Sequence, residues 1–275
     1  MTNKQVAYPL VIVEPLSSFS VKQCLDGQYQ VARDCLAEET PVALIYNGVS
    51  HAVMLATAKD LEDFALGFSL SEGIVQHVSE LYSTEVQLQH NGIEIHCNIT
   101  SERFALLKER RRTLAGKTGC GLCGAENLAQ LMQYPLPLTS QHYFEEISIR
   151  RGLQAIQSQQ KLQQQTGATH ASAYVLADGT VSLVREDVGR HNALDKLVGA
   201  LAKYDTNRTG FIITTSRASF EMVQKTVNAG VGMLVAVSAP TGLAVRVAKQ
   251  CGLTLVGFAR ENRYVVYSHS DRILN

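Results

Sequence analysis

The sequence predicts an α/β protein in two parts, an α+β region over residues 1–135 and a three-layer α/β region over residues 136–275. Three observations lead there. Hairpin signals dominate the first part, at Asn47-Gly48 and Asn91-Gly92. Beyond residue 187, helical and strand-like apolar runs alternate. Between these textures lies "QYPLPLTS", whose Pro135 and Pro137 mark a boundary. A chain of 275 residues, 45% of them hydrophobic, is long enough for one large core or two modest ones.

Residues 42–55, "VALIYNGVSHAVML", are two apolar runs around Asn47-Gly48, the signature of a type I′ turn. The next segment places Leu61, Phe64, Ala65 and Phe68 on one helical face, opening at Thr57 and closing near Gly73. A second hairpin turns at Asn91-Gly92, and Ile93, Ile95, Cys97 and Ile99 alternate as in a half-buried strand. A basic helix, "ERFALLKERRRTLAGK", follows. After the prolines comes a Gln-rich helix ending near Gly167, then a hairpin over 173–186 about Asp178-Gly179. The alternating run reads "GRHNALDKLVGALAKY", "GFIITT", "FEMVQKTVNA", "GMLVAVSA", "GLAVRVAKQC", "LTLVGFA". Such alternation predicts a largely parallel sheet. No internal repeat is present.

Twenty-five basic residues balance 25 acidic ones, and a net charge of zero argues against a general nucleic-acid binder. The start, "MTNKQVAYPLVIVEPLSSF", does not read as a signal peptide, because its apolar run stops at Glu14 with no small-residue cleavage site. Residues 226–245 carry no charge, but Asn228, Ser238, Pro240 and three glycines divide them into a strand and the next helix start rather than a membrane span. The six cysteines (Cys24, Cys35, Cys97, Cys120, Cys123 and Cys251) are mostly isolated, which suits free thiols in a reducing cytoplasm.

Residues 117–126, "KTGCGLCGAE", superimpose a C-x-x-C pair on a G-x-G-x-x-G. The glycine pattern fails its context: a dinucleotide fingerprint follows a strand, opens a helix and is trailed by an acidic residue about twenty positions on. Here a basic helix precedes it, and "YFEE" at 143–146 lies beyond the two prolines. Cys120 and Cys123 lack the second pair or histidines of a structural zinc site, and they sit between helices rather than in a βαβ unit as a thioredoxin-type pair does. Lys108, Arg110, Arg111, Arg112 and Lys117, opposed only by Glu109, leave four net positive charges over residues 108–117. Cations favour thiolate over thiol, and thiolate is the nucleophile. The same charges equally suit a solvated helix face.

Three later segments carry polar groups where strands end. "REDVGRHNALDK" holds Glu186, Asp187, Arg190, His191 and Asp195, a site position in an open α/β sheet. Helix capping by Asp187 and local pairing of Asp195 are the plain structural alternatives. "TTSRASFEM" offers Ser216, Arg217 and Ser219 as phosphate contacts, and "LTLVGF" runs into Arg260 and Arg263. Together these imply an anionic ligand. His170 reads as a structural histidine, and no metal site is expected, since no C-x-x-C lies downstream to complete a deaminase-type zinc centre.

Taken in order, "PVALIYNGVSHAVMLATAKDLEDFALGFSLSEGI", "ERRRTLAGKTGCGLCG", "THASAYV", "EDVGRHNALDK", "TTSRASFEMVQK" and "LTLVGFAR" resemble the FdhD/NarQ family of sulfur-carrier proteins, over about residues 40–269. Residues 1–39 carry no recognised motif. The resemblance implies that the second part is a cytidine-deaminase-like α/β domain without the deaminase zinc, and that the protein is a homodimer. It further implies a cytoplasmic sulfurtransferase-type carrier. A cysteine desulfurase would load it with persulfide sulfur, and the acceptor would be the molybdenum bis(molybdopterin guanine dinucleotide) cofactor of formate dehydrogenase. Cys120 matches the family's persulfide cysteine and Cys123 its companion. Phe258, Ala259, Arg260, Glu261, Asn262 and Arg263 fall on the cofactor-binding segment, with Glu261 and Asn262 where relatives commonly carry glycine. Two other functions remain open at this level: a non-catalytic cofactor-binding chaperone for the apo-dehydrogenase, and a dithiol redox protein cycling Cys120 and Cys123.

Overall fold

The structure is a computed structural model. It describes residues 14–115, 134–139, 142–204 and 208–275, with the backbone alone over 111–115. Cys120, Cys123, Lys117 and the side chains of Arg111 and Arg112 lie outside the described residues.

The chain enters through a two-stranded ribbon, β1 (Leu16–Leu25) and β2 (Gln28–Ala37), turning at Asp26-Gly27 with both φ values positive (49° and 81°). A four-stranded sheet of order β4-β3-β6-β5 follows, from β3 (Thr40–Tyr46), β4 (Val49–Ala56), β5 (Leu81–Gln89) and β6 (Gly92–Ile99). The expected I′ turn is present: Asn47 and Gly48 take φ 45° and 79°. The Asn47 amide also brackets the end of β6, donating to the Ile99 carbonyl at 3.0 Å and accepting from its N–H at 2.8 Å. The second hairpin turns one residue earlier than expected, at His90-Asn91, and Gly92 opens β6. Gly92 serves close approach, because a Cβ there would overlap the Pro41 carbonyl oxygen of β3.

Helix α1 (Leu61–Ser71) lays Phe64, Ala65 and Phe68 on Val42, Leu44, Ile93 and Ile95 of this sheet. It begins four residues after the expected Thr57. That threonine is held elsewhere: its N–H donates to Asp187 Oδ2 at 3.0 Å, its hydroxyl accepts from the Val188 N–H at 3.1 Å, and its carbonyl accepts from Lys196 Nζ at 2.9 Å. The basic helix is α2 (Ser101–Ala115).

The second sheet has six strands in the order β13-β12-β11-β10-β8-β9: β8 (His170–Val175), β9 (Val181–Asp187), β10 (Phe211–Thr214), β11 (Met233–Ala236), β12 (Thr254–Arg260) and β13 (Arg263–Ser268). A short pair, β7 (Phe144–Glu145) and β14 (Ile273–Leu274), joins the two ends of this region. Only β10, β11 and β12 run parallel, while β8, β9 and β13 are antiparallel to their neighbours. The largely parallel sheet expected from the sequence is therefore mixed. Helix–strand alternation dictates direction only for strands joined by crossover helices, and hairpins supply the rest.

Three layers are present. The expected Gln-rich helix is two, α3 (Glu146–Gln159) and α4 (Lys161–Thr166), broken at Gln160 and closed by Gly167 in the left-handed conformation. On one face of the sheet α3 buries Ile149, Leu153 and Ile156 against Ile213 and Val235. On the other, α5 (Arg190–Tyr204), α6 (Phe220–Asn228) and α7 (Gly242–Cys251) bury Leu194, Met222 and Val247 against Ile212, Leu234 and Leu255. Each such side chain contributes about 1.5–3 kcal/mol on leaving water.

The two sheets are joined through α1 and α5. Gly67 and Gly199 let these helices meet backbone to backbone: a Cβ on Gly67 would overlap the Asp195 carbonyl, and one on Gly199 the Asp63 carbonyl. Ion pairs flank the contact, Asp63 with Arg185 (2.6 Å) and Lys203 (2.7 Å), Asp187 with Lys196 (2.6 Å), and Asp195 with Lys225 (2.9 Å).

Candidate functional site

The carboxyl ends of β10, β11 and β12 open into a cleft of about 840 Å³, walled by Leu153, Ile156 and Gln157 of α3 together with Gln160 and Gln163. Strand ends supply its floor: Thr215 after β10, Val237 after β11, and Ala259 and Arg260 of β12. The hairpin residues Glu261 and Asn262 and the first residue of β13, Arg263, form its rim. Ligands of open α/β sheets sit at this end of the strands, where loops diverge and leave a crevice.

Five of the six segment residues singled out in the sequence thus line one cleft. Phe258 is not among the lining residues. It is 48% exposed, holds φ 51° at a bulge between β12 and β13, and donates its N–H to the Ser238 carbonyl at 3.1 Å. The turn at Glu261-Asn262 uses no positive φ, so it closes without glycine at either position. Arg260 is tethered: Nη1 donates to the carbonyls of Val237 (2.5 Å) and Ala259 (2.8 Å), which fixes its guanidinium at the cleft floor. Glu261 accepts from Gln157 Nε2 at 3.4 Å and places one negative charge on the same rim.

The acidic residues of 186–195 do other work. Glu186 caps α4, accepting from the N–H groups of Leu162 and Gln163, each at 2.9 Å. Asp187 and Asp195 hold the seam between the sheets. Burial raises the Asp195 pKa, despite Lys225 acting against it. His191 pairs with Glu221 at 2.9 Å, and burial, seconded by Arg190, lowers its pKa. His170 is likewise lowered by burial and then Arg190, and it lines a side lobe of about 360 Å³ that shares Gln160, Gln163 and Thr215 with the cleft. Among the described residues no group of three or more His, Cys, Asp or Glu could hold a metal, and no helix is long and apolar enough to cross a membrane.

Among the described thiols, Cys97 and Cys251 are poor nucleophiles. Burial pushes Cys97 up to about 12 and raises Cys251, whose Sγ also donates to the Pro135 carbonyl. Cys24 is exposed and Cys35 half-buried, both on the ribbon. Helix α2 ends five residues before Cys120 in the sequence and is anchored to the α1 side, Arg110 donating to the Glu72 carbonyl at 3.0 Å and Arg103 pairing with Glu80 at 2.9 Å.

The missed contributors to the cleft are those of α3, with Gln160, Gln163, Thr215 and Val237. Leu153, Ile156 and Gln157 look like ordinary members of an amphipathic helix, and nothing in their spacing marks a cleft wall. Thr215 had a signal, since it sits within the hydroxyl-rich "TTSRAS" already noted for phosphate.

The model of the FdhD/NarQ family matches residues 37–274, so β1 and all but the last residue of β2 precede it. A Cupriavidus necator protein named "Sulfur carrier protein FdhD" is 56% identical over 258 residues, covering 94% of this chain and 90% of its own. A Bordetella petrii protein of the same name is 52% identical over 249 residues, 87% of each chain. Among solved structures, a candidate formate dehydrogenase accessory protein from Desulfotalea psychrophila superposes with a TM-score of 0.73 at 23% identity, covering 97% of this chain and 100% of that one, a likeness of fold.

Proposed function

The chain belongs to the FdhD/NarQ family, and from that premise we propose that it is a sulfur carrier in the maturation of formate dehydrogenase, loaded on Cys120 by a cysteine desulfurase. Its acceptor is the molybdenum bis(molybdopterin guanine dinucleotide) cofactor, bound as substrate with guanine dinucleotide phosphates at Ala259–Arg263. The observation that carries this reading is the cleft at the three parallel strand ends, with Arg260 tethered at its floor and Arg263 on its rim. Paired guanidinium groups suit phosphate oxygens, and a fixed one loses little freedom on binding. The basic flank of Cys120 supports thiolate at the acceptor.

The chemistry balances. The Cys120 thiolate bonds to the terminal sulfur of the desulfurase persulfide as the old S–S bond breaks, and the desulfurase cysteine leaves as thiolate. On delivery the sulfane sulfur becomes a sulfido ligand. The two electrons this requires come from molybdenum bound in its reduced form, and the Cys120 thiolate is regenerated. We place the boundary between the sulfur-bearing and cofactor-binding parts at residues 135 and 136, and read the working unit as a homodimer in the cytoplasm.

Intact mass after incubation with a desulfurase and cysteine tests the loading step. A gain of about 32 Da, one sulfur atom, that disappears in Cys120→Ala is expected. Cys120→Ala should also abolish maturation of the dehydrogenase while leaving GDP binding unchanged. Normal maturation by that variant would make the protein a cofactor-binding chaperone instead, and equal failure with Cys123→Ala would favour a dithiol redox cycle.

A further inference from the structure

The opposite face of the same strand end gathers another group of polar residues. The N-termini of α5 and α6 converge there, with His191 Nε2 2.9 Å from Glu221 Oε2 and 3.5 Å from Ser219 Oγ. The first-turn backbone N–H groups of the two helices have no intrahelical acceptor, so two helix ends point donors at one spot. Behind them stands a hydroxyl cluster. Ser172 of β8 lies opposite Thr214 of β10, and Thr214 Oγ1 is 3.0 Å from Ser216 Oγ.

The observation that points to a ligand is a pair of orphans. Ser172 is fully buried, yet its Oγ has no hydrogen-bond partner among the described residues, and the same holds for the buried Nε of Arg190. Buried polar groups without partners are costly and uncommon. Two donors left open beside two helix N-termini describe a place for an oxyanion. Glu221 occupies part of it: its side chain is 56% exposed, and its carboxylate sits on His191 at the mouth of both helices, where a bound anion would displace it into solvent.

We propose that Arg190, His191, Ser172, Ser216 and the α5 and α6 N-termini form a binding site for a phosphate group. The site rests on the reading above only for its nucleotide source, since its donors would accept free phosphate equally. Thr215, which lines the cleft on the α3 face, separates it from Ser216 by a single peptide bond. A nucleotide laid over the end of β10 would carry phosphates to both faces.

Calorimetry on the full chain with inorganic phosphate and with GDP tests it. Wild type should bind phosphate. Arg190→Gln should weaken that binding by at least about tenfold and Ser172→Ala by about threefold, as expected on losing hydrogen bonds to a charged ligand. Glu221→Gln should tighten it several-fold by removing the competing carboxylate. Arg260→Ala with Arg263→Ala should leave phosphate binding unchanged. GDP binding weakened by either set of changes means one nucleotide spans both faces. GDP binding that responds only to Arg260 and Arg263 means that this site takes free phosphate. Phosphate binding that needs Arg190, in a chain that never binds GDP, keeps this site and removes the cofactor reading. Ser172→Ala is nearly isosteric, so it decides the matter should Arg190→Gln fail to fold. Wild-type phosphate binding in both variants, or none in wild type, overturns the proposal.

Discussion

The apolar layers of the six-stranded sheet and the seam between α1 and α5 stabilise the same molecule by opposite means. In the layers, Ile213, Val235 and Ile149 are completely buried among other hydrocarbons, and almost any arrangement that kept them dry would be favourable. In the seam, Asp187 and Lys196 are equally buried, but they face each other at 2.6 Å with Thr57 and Asn192 completing the shell. Burying charge is costly, and the partner's attraction offsets that cost only in one geometry. Packing makes the two halves compact. The seam fixes how they sit relative to each other, and with that the position of α2, hung on Glu72, relative to the cleft, which belongs to the other sheet.

The largest expected effect is at the seam's closest point. Gly67→Ala places a Cβ against the Asp195 backbone carbonyl, and neither helix can move without disturbing the ion pairs beside it. Overpacking typically costs about 1–3 kcal/mol, and a clash with backbone belongs at or above the top of that range. Thermal denaturation should show it, and a variant within 0.5 kcal/mol of wild type (roughly the scatter of neutral surface changes) would mean that the seam is plastic.

Lys225→Met should cost a comparable amount. Lys225 Nζ donates to both Asp195 oxygens, to Glu72 at 2.8 Å and to Ser71 at 2.9 Å. Removing it leaves Asp195 buried without a cation, a change that costs about 3–5 kcal/mol in comparable pairs. The loss must depend on pH. Burial already raises the Asp195 pKa in the wild type, and without Lys225 it rises further. A raised carboxyl contributes stability in its protonated form below its unfolded value and loses it as pH rises through the folded one. The deficit of Lys225→Met is therefore greatest at neutral pH and shrinks on acidification through Asp195's raised pKa. Asp195→Asn combined with Lys225→Met should recover part of the loss and flatten the pH profile.

At the cleft, Arg260→Ala together with Arg263→Ala should weaken GDP binding by at least about tenfold, each charge-assisted hydrogen bond contributing about 1.5–3 kcal/mol, with little change in melting temperature. Unchanged calorimetric affinity would place the phosphates elsewhere, at Ser216, Arg217 and Ser219.

The sequence made the layers legible and left the seam hidden, and the reason is range. The Asn47-Gly48 turn and the alternation of Ile93, Ile95, Cys97 and Ile99 are encoded by neighbours, so they appear where expected. Thr57 reads locally as a helix start, but its partners Asp187, Val188 and Lys196 lie some 130 residues on, and they hold it in the seam instead. Asp187 and Asp195 looked like candidates for chemistry because ionisable residues at a strand end usually are. The Asp187 counter-charge, Lys196, stood in the same segment at no helical or strand spacing from it, and that of Asp195, Lys225, lies on another helix. The cleft was half legible. Resemblance supplied Ala259–Arg263, whereas its α3 wall belongs to a helix whose amphipathic pattern says only that one face is buried.

Ile213→Val sharpens the comparison with its smallest effect. Ile213 is fully buried on the α3 face of β10, and its Cδ1 lies 2.9 Å from where a Cβ on Gly152 would be, so the helix and strand already touch. Deleting one methylene there removes apolar burial and leaves a gap that the close-packed layer fills only partly, a loss of about 0.5–1.5 kcal/mol. No charge changes hands, so the deficit should be the same at every pH at which the wild type is folded, in contrast to Lys225→Met. Urea unfolding at neutral and mildly acidic pH measures both variants side by side. A deficit for Ile213→Val that moves with pH as that of Lys225→Met does would show that layer and seam are one coupled unit, and the division of labour between them would fail.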